Sequence, residues 1–302
     1  MTKVPGAMSP SPPSLPHRAR NIGGVLTGRV NTVLHQGQAA WNHPANRGHR
    51  TAALFRLAAF HCRGRLLHRR SCVPIGEHSR MWADLAVVST IHAVVANPPD
   101  WETMQAWRNL LKPGDLFVDV GASAGSYSLW AADRGARVIA IEPNATARAL
   151  LDANATLNDY RFEILDAALG AECTTAGFTS QLGTSNHLTS IDEGVPVSLR
   201  TLDDVIGDQF VAGVKIDVEG AERLVLEGAQ IALGEARIAV LQLEWNRSSM
   251  SLLGEDRSPA AKLLLDHGYR FFRPDGKGRL MPAAFDTFCP DIFAAAPDLD
   301  LP

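Results

Sequence analysis

From residue 101 onward, short apolar runs alternate with amphipathic stretches. Over 101–111, Met104, Trp107, Leu110 and Leu111 share one helical face. A turn, Lys112-Pro113-Gly114-Asp115, leads into Leu116–Val120, a run rich in strand-favouring residues. The small-residue turn Gly121-Ala122-Ser123-Ala124-Gly125 then opens a helix over 126–134, and a second apolar run, 137–141, closes on Glu142. The same reading gives a helix at 145–157, strands at 161–165 and 214–218, helices at 221–228 and on to 234, and a strand at 237–243. A helix over 259–267 has Pro259 in its first turn, and strands follow at 269–272 and 291–295. This alternation predicts the α/β class, with a doubly wound sheet covered by helices on both faces.

Residues 1–100 read less clearly. Pro5, Pro10, Pro12, Pro13 and Pro16 stand among serines, so 1–20 is expected to be a disordered Pro-rich tail. Within 21–70 one stretch, 51–67, suits a helix carrying Leu54, Leu57, Ala58 and Leu66, and 71–96 suits one or two short strands and a helix. The expected plan is a tail (1–20), a basic N-terminal extension (21–100) and the α/β domain (101–302). Inside that domain 174–198 is polar, rich in Gly, Ser and Thr, and centred on His187; a hairpin or loop excursion is expected. Thr201 with Asp204 marks a helix start, with the helix running to about residue 208.

The net charge of −3 conceals a split: residues 1–80 hold 12 Lys and Arg and one acid, Glu77, whereas the rest hold 17 basic and 31 acidic residues. That suggests a basic arm, a surface for an acidic partner, or a plain composition bias. A cleavable Arg-rich transit segment fits less well, because no clear amphipathic helix opens the chain. Cys62, Cys72, Cys173 and Cys289 lie far apart with no C-x-x-C, and read as free thiols in a reducing, cytoplasmic setting. No apolar run is long enough for a membrane span. His43, His49, His61 and His68 are irregularly spaced and lack carboxylate company, which favours solvated or core histidines over a metal site.

The chemistry concentrates at the glycine turn. Gly121 and Gly125 permit positive φ and close approach of a ligand. The turn opens onto a helix N-terminus, and Glu142 at the tip of the next strand can accept from both hydroxyls of a ribose. Asp119 adds a second negative charge, which suits a cationic ligand better than a pyrophosphate. Several readings compete. The dinucleotide pattern G-x-G-x-x-G fails at Ser123 and Ser126. Gly121-Ala-Ser123-Ala-Gly125 matches a nucleophile elbow, and Ser123, Asp217 and His267 have the chain order of a serine hydrolase. The third reading, D-x-G-x-x-x-G followed by an acid, is the pattern expected for S-adenosylmethionine. A tight turn with no ligand, or a non-catalytic nucleotide-binding module, would leave Asp119, both glycines and Glu142 idle. Asp119, Glu142, Asp166, Asp217, Glu219 and Glu244 all fall at expected strand ends, the ligand edge of an open α/β sheet. Lys215, which differs in parity from Ile216, is expected to point away from that edge.

The segments VDVGASAGSYS, IAIEPN, DAALG, TLDD, VKIDVEGAE and LQLEWN, in this order, resemble the FkbM family of S-adenosylmethionine-dependent methyltransferases over roughly residues 100–295. The resemblance implies a Rossmann-like, seven-stranded sheet with the last strand antiparallel, and methyl transfer to a hydroxyl of a sugar or other secondary-metabolite-type small molecule. It implies that Asp119, Gly121 and Gly125 border the methionine part of the cofactor, that Glu142 holds the ribose, that Asp166 and Ala167 flank the adenine, and that Ala122, Ser123 and Pro143 belong to the same cofactor site. Ser123 stands where the family commonly has Asn. Asp217 would lie by the reacting centre. Asp217, Glu219 and Glu244 could hold one Mg²⁺-like ion, or Asp217, Glu219 or His187 could handle the proton directly. The expected partner is a small-molecule hydroxyl acceptor rather than nucleic acid, and a homo-oligomer stays open.

Overall fold

The computed structural model describes residues 22–179, 186–246 and 254–301. The Pro-rich tail lies outside these residues. Helices α1 (Ile22–Asn42) and α2 (Arg50–Leu66) are joined through a 3₁₀ turn at Pro44–Asn46. A hairpin of β1 (Ser71–Ile75) and β2 (Ser79–Ala83) follows, then α3 (Ser89–Val95) and α4 (Trp101–Leu110). The alternating core runs β3 (Leu116–Val120), α5 (Ser126–Asp133), β4 (Arg137–Ile141), α6 (Ala145–Leu157) and β5 (Glu163–Leu165). The excursion holds β6 (Ala168–Leu169), β7 (Thr174–Phe178), β8 (Leu188–Thr189) and β9 (Val195–Arg200). The chain returns through α7 (Leu202–Ile206), β10 (Val211–Ile216), α8 (Glu222–Glu227), α9 (Gln230–Gly234) and β11 (Ile238–Glu244). It closes with α10 (Ser258–Asp266), β12 (Arg270–Pro274), β13 (Leu280–Pro282) and β14 (Asp291–Ala295).

The main sheet has the order β13-β12-β14-β11-β10-β3-β4-β5. Strands β5, β4, β3, β10 and β11 are parallel, and β14 runs antiparallel to β11. The doubly wound, Rossmann-like sheet expected from the sequence is therefore present, with its last strand reversed. The short edge strand β13 adds an eighth to the expected seven. Every residue of β3 is buried, because helices cover both faces. On one face Val118, Val120, Ile139, Ile216 and Leu243 pack with Leu226 and Leu264. On the other, Phe117, Val138, Val240 and Phe293 pack with Trp107 and Trp130.

Residues 32–100 form a third layer. Leu57, Phe60, Ile75, Met81 and Val94 pack against Ala124, Leu129 and Leu150 of the α/β core. The Asp133 carboxylate at the end of α5 accepts from the N–H groups of Glu77, His78 and Ser79, each at 2.8 Å, and from Ser79 Oγ. Burial opposes the Asp133 charge, yet these donors prevail and hold the carboxyl below its ordinary value. Asn154 on α6 and Asn158, which caps that helix, accept from the backbone N–H of Trp82 and Arg80, both at 2.7 Å. The four histidines form no metal set among the described residues: His61 Nε2 meets Gln36 Oε1 at 2.8 Å and His43 Nε2 meets the Pro99 carbonyl at 2.7 Å.

Two further expectations change. The excursion is more than a hairpin: β6-β9-β7-β8 is a separate four-stranded sheet, although 180–185 lie outside the described residues. Strand β10 ends at Ile216 rather than at 218, so Asp217, Val218 and Glu219 belong to the turn that follows. Glu219 adopts φ +54° there.

Candidate functional site

A cavity of about 520 Å³ opens beyond the carboxyl ends of β3, β4 and β10. Here the strand order reverses on either side of β3, the usual ligand position of an open α/β sheet. Gly121 at the cavity floor has φ +76°, and a Cβ on it would sit 1.9 Å from the Asp217 carbonyl oxygen. Both conformation and space therefore demand glycine. The N–H groups of Gly121 and Ala122 donate to the Ile141 carbonyl at 3.0 Å, stitching the turn to β4.

Glu142, 6% exposed, is fixed by the backbone. Its Oε2 accepts from Ser123 N–H and its Oε1 from Asn144 N–H, both at 2.7 Å. Each carboxylate oxygen keeps a further lone pair, and Glu142 borders the cavity. Burial raises its carboxyl above the ordinary value, and the two amides act in the opposite direction.

Next to this turn lies a group of charges. Lys215 is 5% exposed, and its Nζ sits 2.9 Å from Asp217 Oδ2, 3.9 Å from Asp119 Oδ1 and 4.8 Å from the centre of the Tyr127 ring. The expectation that Lys215 points away is thus corrected: it borders the cavity. Lys215 shares strand parity with Asp217, and its long stem carries the ammonium up to the sheet edge. In register it lies between Asp119 on β3 and Gln242 on β11, which completes a polar row across the sheet. Asp119 is fully buried beneath; its Oδ2 accepts from Ser128 Oγ at 2.6 Å, and its Oδ1 has no hydrogen-bond partner.

Asp217, Glu219 and Glu244 converge, with one oxygen from each within 4.8 Å of the others. Burial first, then the Asp217 charge, pushes Glu219 up to about 7 and Glu244 up to about 8. Burial pushes Asp291 up to about 7 as well. In the folded state these carboxyls hold protons that the unfolded chain releases near pH 4, so the unliganded protein loses stability as pH rises from about 5 to about 8. Its melting temperature is expected to fall across that window, and Glu244→Gln to flatten the fall; a flat wild-type profile would show that the cluster is not held in this environment.

The cavity brings together Gly121, Ala122, Ser123, Glu142, Pro143, Ala167, Asp217, Glu219 and Glu244. Four expected residues, Asp119, Gly125, Asp166 and His187, are not part of its lining. Asp119 is under the floor. Gly125 caps α5 at φ +90°, where a Cβ would meet Leu151 Cδ1 at 2.4 Å. The Asp166 side chain is 68% exposed and paired with Arg148 at 2.6 Å, while Ala167 beside it faces the cavity. His187 is half-buried; its charged form would act on Glu219, lowering that carboxyl. The hydrolase set is not assembled: Ser123 Oγ lies 2.8 Å from Ser89 Oγ, and His267, 3.1 Å from Gln230, is outside the cavity.

Other lining residues carry little sequence signal. Val87, Ser89, His92 and Asp100 of the N-terminal segment form one wall. Asp291, paired in register with Glu244, reaches the same edge because an antiparallel strand begins where its parallel neighbour ends. The donor set suits S-adenosylmethionine: Glu142 offers ribose acceptors, and the surplus of carboxylates around one lysine suits a cationic sulfur.

The sequence profile described as the Methyltransferase FkbM domain matches residues 119–271. A search of curated proteins returns no match. Similar solved structures include fibrillarin from Aeropyrum pernix with bound S-adenosyl-L-methionine, at 15% identity over 65% of this chain and 76% of that one, TM-score 0.36. A putative rRNA methylase from Clostridium thermocellum shares 12% identity over 73% of this chain and 99% of that one, TM-score 0.40. An S-adenosylmethionine-dependent O-methyltransferase from Thermotoga maritima shares 17% identity over 67% and 66%, TM-score 0.37. The profile spans half of the chain, from the acid of β3 through the glycine turn and the β10 carboxylates to β12, and the chain belongs to the FkbM-domain family of S-adenosylmethionine-dependent methyltransferases.

Proposed function

We propose that the chain methylates a hydroxyl oxygen of a sugar or another secondary-metabolite-type small molecule. The convergence of Asp217, Glu219 and Glu244 beside the glycine turn carries this reading. A hydroxyl is a poor nucleophile until its proton is removed, and a positioned carboxylate contributes about 10²–10⁴-fold to such a step. Asp217, held by Lys215, accepts that proton, and Glu219 with His187 offers it a way to solvent. S-adenosylmethionine supplies an electrophilic methyl group on a cationic sulfur and leaves as a neutral thioether. Glu142 would hold the ribose, the 121–123 backbone would meet the methionine part, and Ala167 would flank the adenine, with Pro143 lining the same pocket. The three carboxylates also suit one Mg²⁺-like ion, whose charge would relieve the repulsion that adds to burial in raising Glu219 and Glu244. Carboxylates around the cavity disfavour a polyphosphate acceptor such as nucleic acid. The four free cysteines fit a reducing cytoplasm.

Methyl transfer to a panel of hydroxylated sugars and glycosides, read by mass spectrometry, tests this. Asp217→Asn is expected to lower kcat on the order of 10²–10³-fold while S-adenosylhomocysteine affinity stays within a few-fold. Product methylated on nitrogen, or an unchanged kcat, would overturn the assignment.

A further inference from the structure

Helix α2 has two opposite apolar faces, of which the core uses one. Ala53, Leu57, Phe60 and His61 are buried inward. Phe55, Ala59, Cys62 and Leu66 recur at i, i+4, i+7 and i+11 and are all exposed, Phe55 at 77% and Leu66 at 75%. This spacing makes a single outward stripe, with Arg63 and Arg65 set ~80° to either side of it. Both arginines are exposed, as are Arg47, Arg50 and Arg69 nearby. None of these five forms an ion pair among the described residues, and residues 1–76 contain no Asp or Glu.

We propose that the outer face of α2 docks the protein on an anionic lipid surface. An apolar stripe flanked by arginines suits a bilayer interface: the apolar groups enter the acyl boundary while the guanidinium groups stay at the headgroups. The charge complementarity decides the occupant. A second copy meeting this face about a two-fold axis would bring two arginine-bearing faces together with no acid on either to offset them. A nucleic acid would satisfy the arginines and leave Phe55 and Leu66 in water. The acidic remainder of the chain, repelled by the same lipids, would be held on the far side of α2 from the membrane. α2 lies on the surface rather than crossing it, and no described helix is long and apolar enough to span.

Flotation of the full chain with phosphatidylcholine vesicles containing about 30% phosphatidylglycerol, beside pure phosphatidylcholine vesicles, tests the proposal. The protein is expected to float with the anionic vesicles alone, and salt is expected to weaken it. Arg63→Gln with Arg65→Gln should reduce binding on the order of 20-fold, and Phe55→Ser with Leu66→Ser by a comparable factor. Both double variants alter exposed groups, so melting temperature and S-adenosylhomocysteine affinity should match wild type. Absence of flotation, or flotation that ignores both variants, overturns the proposal. So does a dimer in light scattering that the Phe55/Leu66 variant converts to monomer, or RNA binding lost only in the arginine variant.

Discussion

Gly121→Val is expected to weaken S-adenosylhomocysteine binding severely and to lower the melting temperature. The turn after β3 holds Gly121 at φ +76°, where any Cβ is strained, and this Cβ would lie 1.9 Å from the Asp217 carbonyl oxygen. The neighbour is backbone, so it cannot rotate aside. The turn must lift away from β10, which breaks the bonds to Ile141 and displaces both Ser123 N–H and Asp217. Strain of this kind costs about 1–3 kcal/mol before the clash is added, so a fall on the order of 5–10 °C is expected for a domain of this size. Binding should weaken by at least two orders of magnitude, because cofactor cradle and catalytic turn move together. A Gly121→Val protein with wild-type affinity would remove the turn from the site.

The second large effect is expected of Lys215→Met. Asp119 is buried and has Lys215 as its charged neighbour at 3.9 Å. Removing the ammonium leaves a buried carboxylate unpaired, a loss of about 3–5 kcal/mol. Asp217, with its side chain 41% exposed, adds little because solvent screens it. Burial already raises the Asp119 carboxyl and Lys215 opposes that, so without the lysine Asp119 takes up a proton at higher pH. The gap in melting temperature between variant and wild type should therefore narrow as pH falls, and Asp119→Asn added to Lys215→Met should recover part of the loss. A variant that melts like wild type at every pH would show that the pair is not buried as described.

What the sequence reveals and what it hides have physical reasons. Strands covered on both faces must be continuously apolar, so Leu116–Val120 and Ile238–Glu244 stand out in the letters. Parallel strands end at one edge, so the acids that follow them, Glu142, Asp217 and Glu244, predict a shared site before any contact is known. The small sheet is hidden because β7 and β9 are largely exposed and carry no clean alternation. Helix α1 is hidden by Gly23, Gly24, Gly28 and Gly37, which weaken helical propensity and are offset by packing on α2 and α3. Lys215 misleads because parity describes where a Cβ points, not where a four-carbon stem ends. The wall built by Val87, Ser89 and Asp100 arises from tertiary packing alone; nothing local in those residues announces it.

The central claim is that the cavity at the β3–β4 edge holds S-adenosylmethionine with Glu142 on its ribose. Calorimetric titration of wild type and Glu142→Ala with S-adenosylhomocysteine, with Mg²⁺ and with EDTA, tests it most directly. Micromolar binding by wild type in both conditions, lost in a Glu142→Ala protein that still melts cooperatively, is the predicted result. Equal affinity in the two proteins, or no binding by wild type in either condition, would contradict it.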